Sequence, residues 1–177
     1  MSRKFFKAVL GIGVLAALAT VSSAQATKPM GLSVRAGFFM PSSGIAKDQG
    51  KNWFGFGAQY KLKDLGFGTM DRGYAASLEV SADYMSKGDL QSMPVLLNYV
   101  ARQNQMFFSG GAGFSFSKEI DVVGPPVTTR NRTVFAYQIG VGYDFQQGQT
   151  PLFVEAKYFG STSTDLNGFG VYVGVRF

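Results

Sequence analysis

The sequence predicts an all-β fold, an eight-stranded antiparallel up-and-down transmembrane β-barrel, preceded by a removable export segment. Three observations predict it. Eight stretches of roughly ten residues alternate large apolar residues with small or polar ones, the period of a strand with two unlike faces. The second face is glycine, serine and alanine with few charges, unlike a strand surface that meets water. The mean hydropathy is only +0.06. That is too polar for a bundle of membrane helices, yet suited to strands of which only alternate residues face lipid.

The chain has 177 residues, enough for one domain. Residues 1–26 read as a secretory signal. Arg3, Lys4 and Lys7 give a positive start, AVLGIGVLAALATV is apolar but short, and Ala24-Gln25-Ala26 offers small residues for cleavage before Thr27. The alternative, a permanent membrane helix, needs about 20 apolar residues. Removing the signal takes 3 of the 17 basic side chains and none of the 11 acidic ones, so much of the formal charge of +6 leaves with it. A nucleic-acid partner is not expected of an exported chain with so small a residual charge.

Residues 27–177 are expected to form the barrel. The first strand, 32–40, sets Leu32, Val34, Ala36, Phe38 and Met40 against Ser33, Arg35 and Gly37. The second, 53–62, sets Phe54, Phe56, Ala58, Tyr60 and Leu62 against Gly55, Gly57, Gln59 and Lys61. The third, 74–84, opposes Tyr74, Leu78, Val80 and Tyr84 to Ser77, Glu79, Ser81 and Asp83. The fourth, 92–100, opposes Met93, Val95, Leu97 and Tyr99 to Ser92, Pro94, Leu96 and Asn98. The fifth, 106–116, carries Met106, Phe108, Phe114 and Phe116 opposite Ser109, Gly111, Gly113 and Ser115. The sixth, 134–145, carries Phe135, Tyr137, Ile139, Val141 and Tyr143 opposite Ala136, Gln138, Gly140 and Asp144. The seventh, 151–159, sets Leu152, Val154 and Tyr158 against Phe153, Glu155, Lys157 and Phe159. The eighth, 168–177, sets Phe169, Val171, Val173, Val175 and Phe177 against Gly170, Tyr172, Gly174 and Arg176. Gly, Asp, Asn, Pro and Ser mark the connections, of which Lys118–Thr133, with Pro125-Pro126, reads as the longest loop and as a candidate surface for a ligand.

Alternation alone allows a soluble lipocalin-like barrel, apolar inside, or a membrane barrel, apolar outside. The small second face favours the membrane barrel, because glycine weakens a strand unless a narrow lumen needs the room. Aromatic residues also gather toward both ends of the strands, as two interfacial belts would. Tyr60, Tyr74, Tyr99, Tyr143 and Phe177 would form one, and Phe38, Phe54, Tyr84, Phe116, Phe135, Tyr158 and Phe169 the other.

Eight charges are then expected inside. Arg35, Lys61, Lys157 and Arg176 balance Glu79, Asp83, Asp144 and Glu155. Unpaired charge in a confined lumen is costly, so an ionic plug is expected, with a polar ion path as the alternative. No cofactor is called for. Without histidine or cysteine, a metal site would need carboxylates alone, and these read as spread over the loops.

The last stretch, GFGVYVGVRF, resembles the C-terminal signature of outer-membrane barrels. With MPVLLNYVAR, FFSGGAGFSF and PLFVEAKYFG it makes the mature chain resemble the small eight-stranded outer-membrane barrel family, of the OmpX, opacity-protein and OmpA-barrel type. The resemblance implies the outer membrane of a Gram-negative-type bacterium, contact with its lipid, and recognition of Phe169, Val171, Val173, Val175 and Phe177 by the barrel-assembly machinery. It implies a structural or surface-interaction role such as envelope integrity or adhesion, with a narrow channel or an apolar-solute binder as the alternative. Barrel enzymes of this size rely on histidine as a base with a pKa near neutrality, and this chain has none.

Overall fold

The computed structural model describes residues 31–65, 74–121, 128–145 and 152–177, so the expected export segment lies outside the described residues. Eight strands follow in chain order: β1 (Leu32–Pro41), β2 (Trp53–Leu65), β3 (Tyr74–Lys87), β4 (Leu90–Gln103), β5 (Met106–Asp121), β6 (Thr128–Asp144), β7 (Leu152–Ser161) and β8 (Gly168–Arg176). Each pairs antiparallel with the next, and β1 pairs with β8 from Ser33↔Arg176 to Pro41↔Gly168, which closes the barrel. We call the end with the start of β1 and the finish of β8 the lower end.

Two hairpins turn on two residues. Gly88 (φ 59) follows Lys87, which faces Leu90, and Asn104 (φ 56) follows Gln103, which faces Met106. Both need left-handed backbone, which glycine and asparagine tolerate at least cost.

The strand faces are inverted relative to a soluble protein. Ile139 is 62% exposed and Phe38 61%, whereas Arg35 is 3% and Lys157 1% exposed. Phe54, Phe108, Phe114, Phe135, Phe169 and Val173 continue the outer apolar band. In water such a surface would drive association, and in a bilayer it is solvated by acyl chains.

Strand length divides the barrel into two walls. β7, β8 and β1 have 10, 9 and 10 residues. β4, β5 and β6 have 14, 16 and 17. The upper mouth is closed over the short wall by a five-residue helix, α1 (Gly44–Asp48), and a 3-10 turn (Thr164–Leu166). Ser43 caps α1, accepting from the Ala46 amide at 3.2 Å, and its hydroxyl donates to the Asp165 carbonyl at 2.7 Å. Thus Ala46 and Leu166 are lowered onto Phe39, Trp53, Met85, Leu90, Phe159 and Tyr172 as one buried cluster.

On the tall wall the structure departs from the sequence reading. Lys118–Thr133 is for the most part a continuation of the β5–β6 ladder, with Lys118↔Asn131, Glu119↔Arg130, Ile120↔Thr129 and Asp121↔Thr128 in register. Threonines at 128, 129 and 133 favour extended backbone, and this part of the hairpin stands beyond the apolar band, so charges on it carry no lipid penalty. Pro125-Pro126 lies outside the described residues.

Candidate functional site

The lumen is filled in three levels. In the middle, Arg35 on β1 reaches across to β3. Its Nε and Nη2 donate to the two carboxylate oxygens of Asp83 at 2.8 and 2.7 Å, a bidentate pair. Its Nη1 donates to Gln59 Oε1 at 2.8 Å and lies 3.8 Å from Glu155 on β7. Lys157 Nζ is 3.4 Å from Glu155 and donates to Gln138 Oε1 at 3.2 Å, while the Gln138 amide donates in turn to Asn98. Gln59 passes the network on, donating from Nε2 to Glu79 at 2.6 Å. Glu79 also accepts from Ser77 at 2.5 Å and from Arg102 at 2.8 Å. Strands β1, β2, β3, β4, β6 and β7 are therefore tied through side chains in their shared interior.

Glycine makes this possible. A Cβ on Gly57 would lie 2.0 Å from Asp83 Oδ1, so the Arg35–Asp83 pair occupies the space a side chain would take. Above it, the Tyr172 ring lies against Gly37 and Gly170, where added Cβ atoms would meet it at 2.9 Å (Gly37) and 2.3 Å (Gly170). The Tyr172 hydroxyl is buried with no hydrogen-bond partner among the described residues.

At the lower end the Arg176 guanidinium sits 4.5 Å from the ring centres of both Phe107 and Phe153, and its Nε donates to Asp144 at 3.1 Å. Stacking lets a cation sit among rings that would otherwise desolvate it. On the tall wall the upper lining is small, and the Ser92, Ser115 and Ser117 hydroxyls are linked at 3.0 and 3.1 Å. Beside them a cavity of ≈ 10 Å³ has room for about one water.

The sequence reading placed Lys61 in this network, and the structure does not. Lys61 still stands opposite Glu79 in the β2–β3 ladder, but at the lower rim its ammonium pairs with Asp64 at 3.1 Å, just before the register shifts between Lys61 and Lys63. Arg102 takes that place in the charge balance. Its signal was present, since MPVLLNYVAR ends on it, but the apolar alternation stops at Val100 while the ladder continues to Gln103↔Met106.

Of the aromatic residues read as belts, Tyr60, Tyr99 and Tyr143 at the lower end and Phe38, Phe54, Phe116, Phe135 and Phe169 toward the upper end are exposed on the outer face. Tyr74 is half-buried and its hydroxyl meets that of Tyr99 at 3.0 Å. Tyr84 and Tyr158 are half-buried against Phe56 and Phe169, at ring distances of 5.2 and 5.0 Å. Phe177 differs from the sequence reading, being only 8% exposed. Its amide donates to Leu32 and its carbonyl accepts from Gly31, so it is folded into the seam instead of standing out as a belt residue. Phe169, Val171 and Val173 of the closing strand are exposed on the outer face, and Val175 is half-buried.

The upper end of the tall wall is the second candidate site. Arg130, Asn131, Arg132 and Thr133 are all exposed. An open hollow of ≈ 340 Å³ lies against Gln91, Phe116, Lys118, Asn131 and Thr133. Among the described residues no cluster of three or more His, Cys, Asp or Glu is placed to hold a metal ion.

A family model described as Outer membrane protein beta-barrel domain matches residues 9–177. The curated proteins give no match. Three solved structures are similar. The N-terminal β-barrel domain of Pseudomonas aeruginosa OprF aligns with a TM-score of 0.51 at 14% identity, covering 85% of this chain and 100% of that one. The outer membrane enzyme PagL aligns at 0.50 and 14%, covering 82% and 98%. The Yersinia pestis outer membrane protein Ail, in a phospholipid bilayer nanodisc, aligns at 0.44 and 16%, covering 82% and 98%.

Proposed function

The chain belongs to this family of outer membrane β-barrel proteins, and from that premise we propose that it serves a structural or surface-interaction role through its upper end and is not a conduit. One observation carries the reading. The lumen is occupied by four basic and four acidic side chains in ion pairs, while the β5–β6 ladder runs on past its neighbours. Eight strands enclose little more than side chains. Export by the signal 1–26, assembly through β8 and an outward-facing upper end belong to the same reading. Enzymatic activity does not, because the absence of histidine removes the usual base.

The test shortens the hairpin. Replacing residues 119–130 by a two-residue Asn-Gly turn joins Lys118 to Asn131, which already face each other. A strain lacking the protein is complemented with the full or the shortened chain at matched outer-membrane levels. The reading predicts that the shortened chain restores detergent resistance but not adhesion. Full restoration of both would place the role in the barrel wall and remove the hairpin from it.

A further inference from the structure

We propose that the hollow on the outer face of the tall wall seats the headgroup of one anionic phospholipid from the leaflet at the upper end. This goes beyond the surface-interaction reading and does not need the raised hairpin. The height of the hollow in the bilayer follows from register. Val95, Phe114 and Phe135 form one row across β4, β5 and β6, and Met93, Phe116 and Thr133 form the next. One row higher on the same face stand Gln91, Lys118 and Asn131. All three strands therefore exchange apolar for polar side chains within two rows, where acyl chains give way to headgroups. The hollow of ≈ 340 Å³ spans that level, from Phe116 to Lys118 and Asn131.

The lining restricts what can fill it. Phe116 is 47% exposed. No carboxylate lines the hollow. The Lys118 side chain is half-buried and has no ion pair or hydrogen bond among the described residues. Arg132 also lines the hollow but is already engaged, so Lys118 supplies the charge. An ammonium at this height meets a phosphate as a point charge, and the charge-assisted bond is of the stronger kind. Gln91, Asn131 and Thr133 offer amide and hydroxyl groups to headgroup hydroxyls. The first acyl carbons then lie against the Phe116 ring. A ligand apolar below, with a phosphate and hydroxyls above, matches this order of side chains.

Two other occupants fit less well. A second copy of the chain, related by a two-fold axis through the hollow, would bring the two Lys118 side chains toward each other with no acid lining the hollow between them. A soluble anion would make no use of Phe116.

The experiment uses the whole mature chain folded in detergent micelles. It is titrated with phosphatidylglycerol, phosphatidylcholine or inorganic phosphate, and bound molecules are counted by native mass spectrometry. One phosphatidylglycerol per barrel is expected, held at least fivefold more tightly than phosphatidylcholine and not displaced by inorganic phosphate at equal concentration. Lys118→Gln should lower phosphatidylglycerol binding to the phosphatidylcholine level. Lys63→Gln, which removes an exposed lysine at the lower rim, should leave it unchanged. Phe116→Ala should weaken both lipids severalfold while circular dichroism shows an intact barrel. The shortened hairpin keeps Lys118 and Asn131, so it should keep the lipid preference even where adhesion is lost, and the two readings can fail separately. Equal binding of the two lipids, equal losses in Lys118→Gln and Lys63→Gln, or displacement by inorganic phosphate would overturn the proposal. So would a dimer in place of the lipid adduct, or loss of the preference in the shortened chain.

Discussion

The short wall and the tall wall solve the same problem, a narrow closed sheet, in opposite ways. On β7, β8 and β1 the interior is crowded. Arg35, Lys157, Phe39, Phe153, Phe159 and Tyr172 reach in, and glycines opposite them give way. The strands then stop, and α1 with the 3-10 turn closes the mouth above them. On β4, β5 and β6 the upper interior is lined by serine, glycine and alanine, and β5 and β6 continue as a ladder past the last pairing of β6 with β7. The difference teaches that filling and reaching are divided between the walls. The crowded wall specifies and seals the barrel, and the sparse wall is free to carry a surface.

The largest stability effects should therefore come from the crowded side. Asp83→Asn leaves the Arg35 guanidinium short of its main partner at 3% exposure. Breaking a buried pair in this way costs about 3–5 kcal/mol, and Arg35→Met with Asp83→Asn together should recover most of it. Ser115→Ala on the sparse wall removes neutral bonds only, worth about 1 kcal/mol. Urea titrations of protein refolded in lipid vesicles measure all three. A Ser115→Ala loss as large as that of Asp83→Asn would erase the distinction between the walls.

The outer face should not distinguish the walls at all. Ile139 on β6 and Val173 on β8 are both exposed near mid-strand, at 62% and 59%. Ile139→Arg and Val173→Arg should each cost about 2–4 kcal/mol in the same vesicle titration, the toll for a cation at the bilayer midplane. Undiminished stability in both would mean that these residues do not face lipid.

The equilibrium effect at the chain end should be smaller than that of the outer-face arginines. Phe177 is covered at the β1–β8 seam, and deleting it removes its two backbone bonds, with Leu32 and Gly31, and part of one ring's burial, about 1–3 kcal/mol. In cells the same deletion should lower outer-membrane levels severalfold, because the closing strand is expected to be read during assembly. Quantitative blotting of membrane fractions beside refolding in detergent separates the two. Proportionate losses in both would leave Phe177 a packing role only.

How much of this could be read from residues alone follows the same division. The outer face was legible along most of its length, Phe177 excepted, because lipid enforces strict alternation and one slip would bury an apolar set or expose a charge. Arg35, Asp83, Glu155 and Lys157 were legible as inward for that reason. Lys61 was read as inward on its register, but its pairing with Asp64 at the rim leaves no trace in composition. Arg102 was missed where alternation fades before the ladder ends. The raised part of β5–β6 read as a loop because residues 130–133 are exposed in succession, and the rule that finds membrane strands does not apply above the membrane. The cap over the short wall was illegible. A five-residue helix has no periodicity to detect, and only Ser43 three residues before Ala46 hinted at it.

The central claim is that the crowded wall seals the lumen and leaves function to the surface. Single-channel recording of the native mature chain in a planar bilayer tests it most directly, with Arg35→Met/Asp83→Asn/Glu155→Gln/Lys157→Met measured beside it as a neutral, emptied interior. The account predicts no resolvable steps from the native protein and conductance events only from the emptied one. Steady, ion-selective currents from the native protein would contradict it and make the charged interior a path.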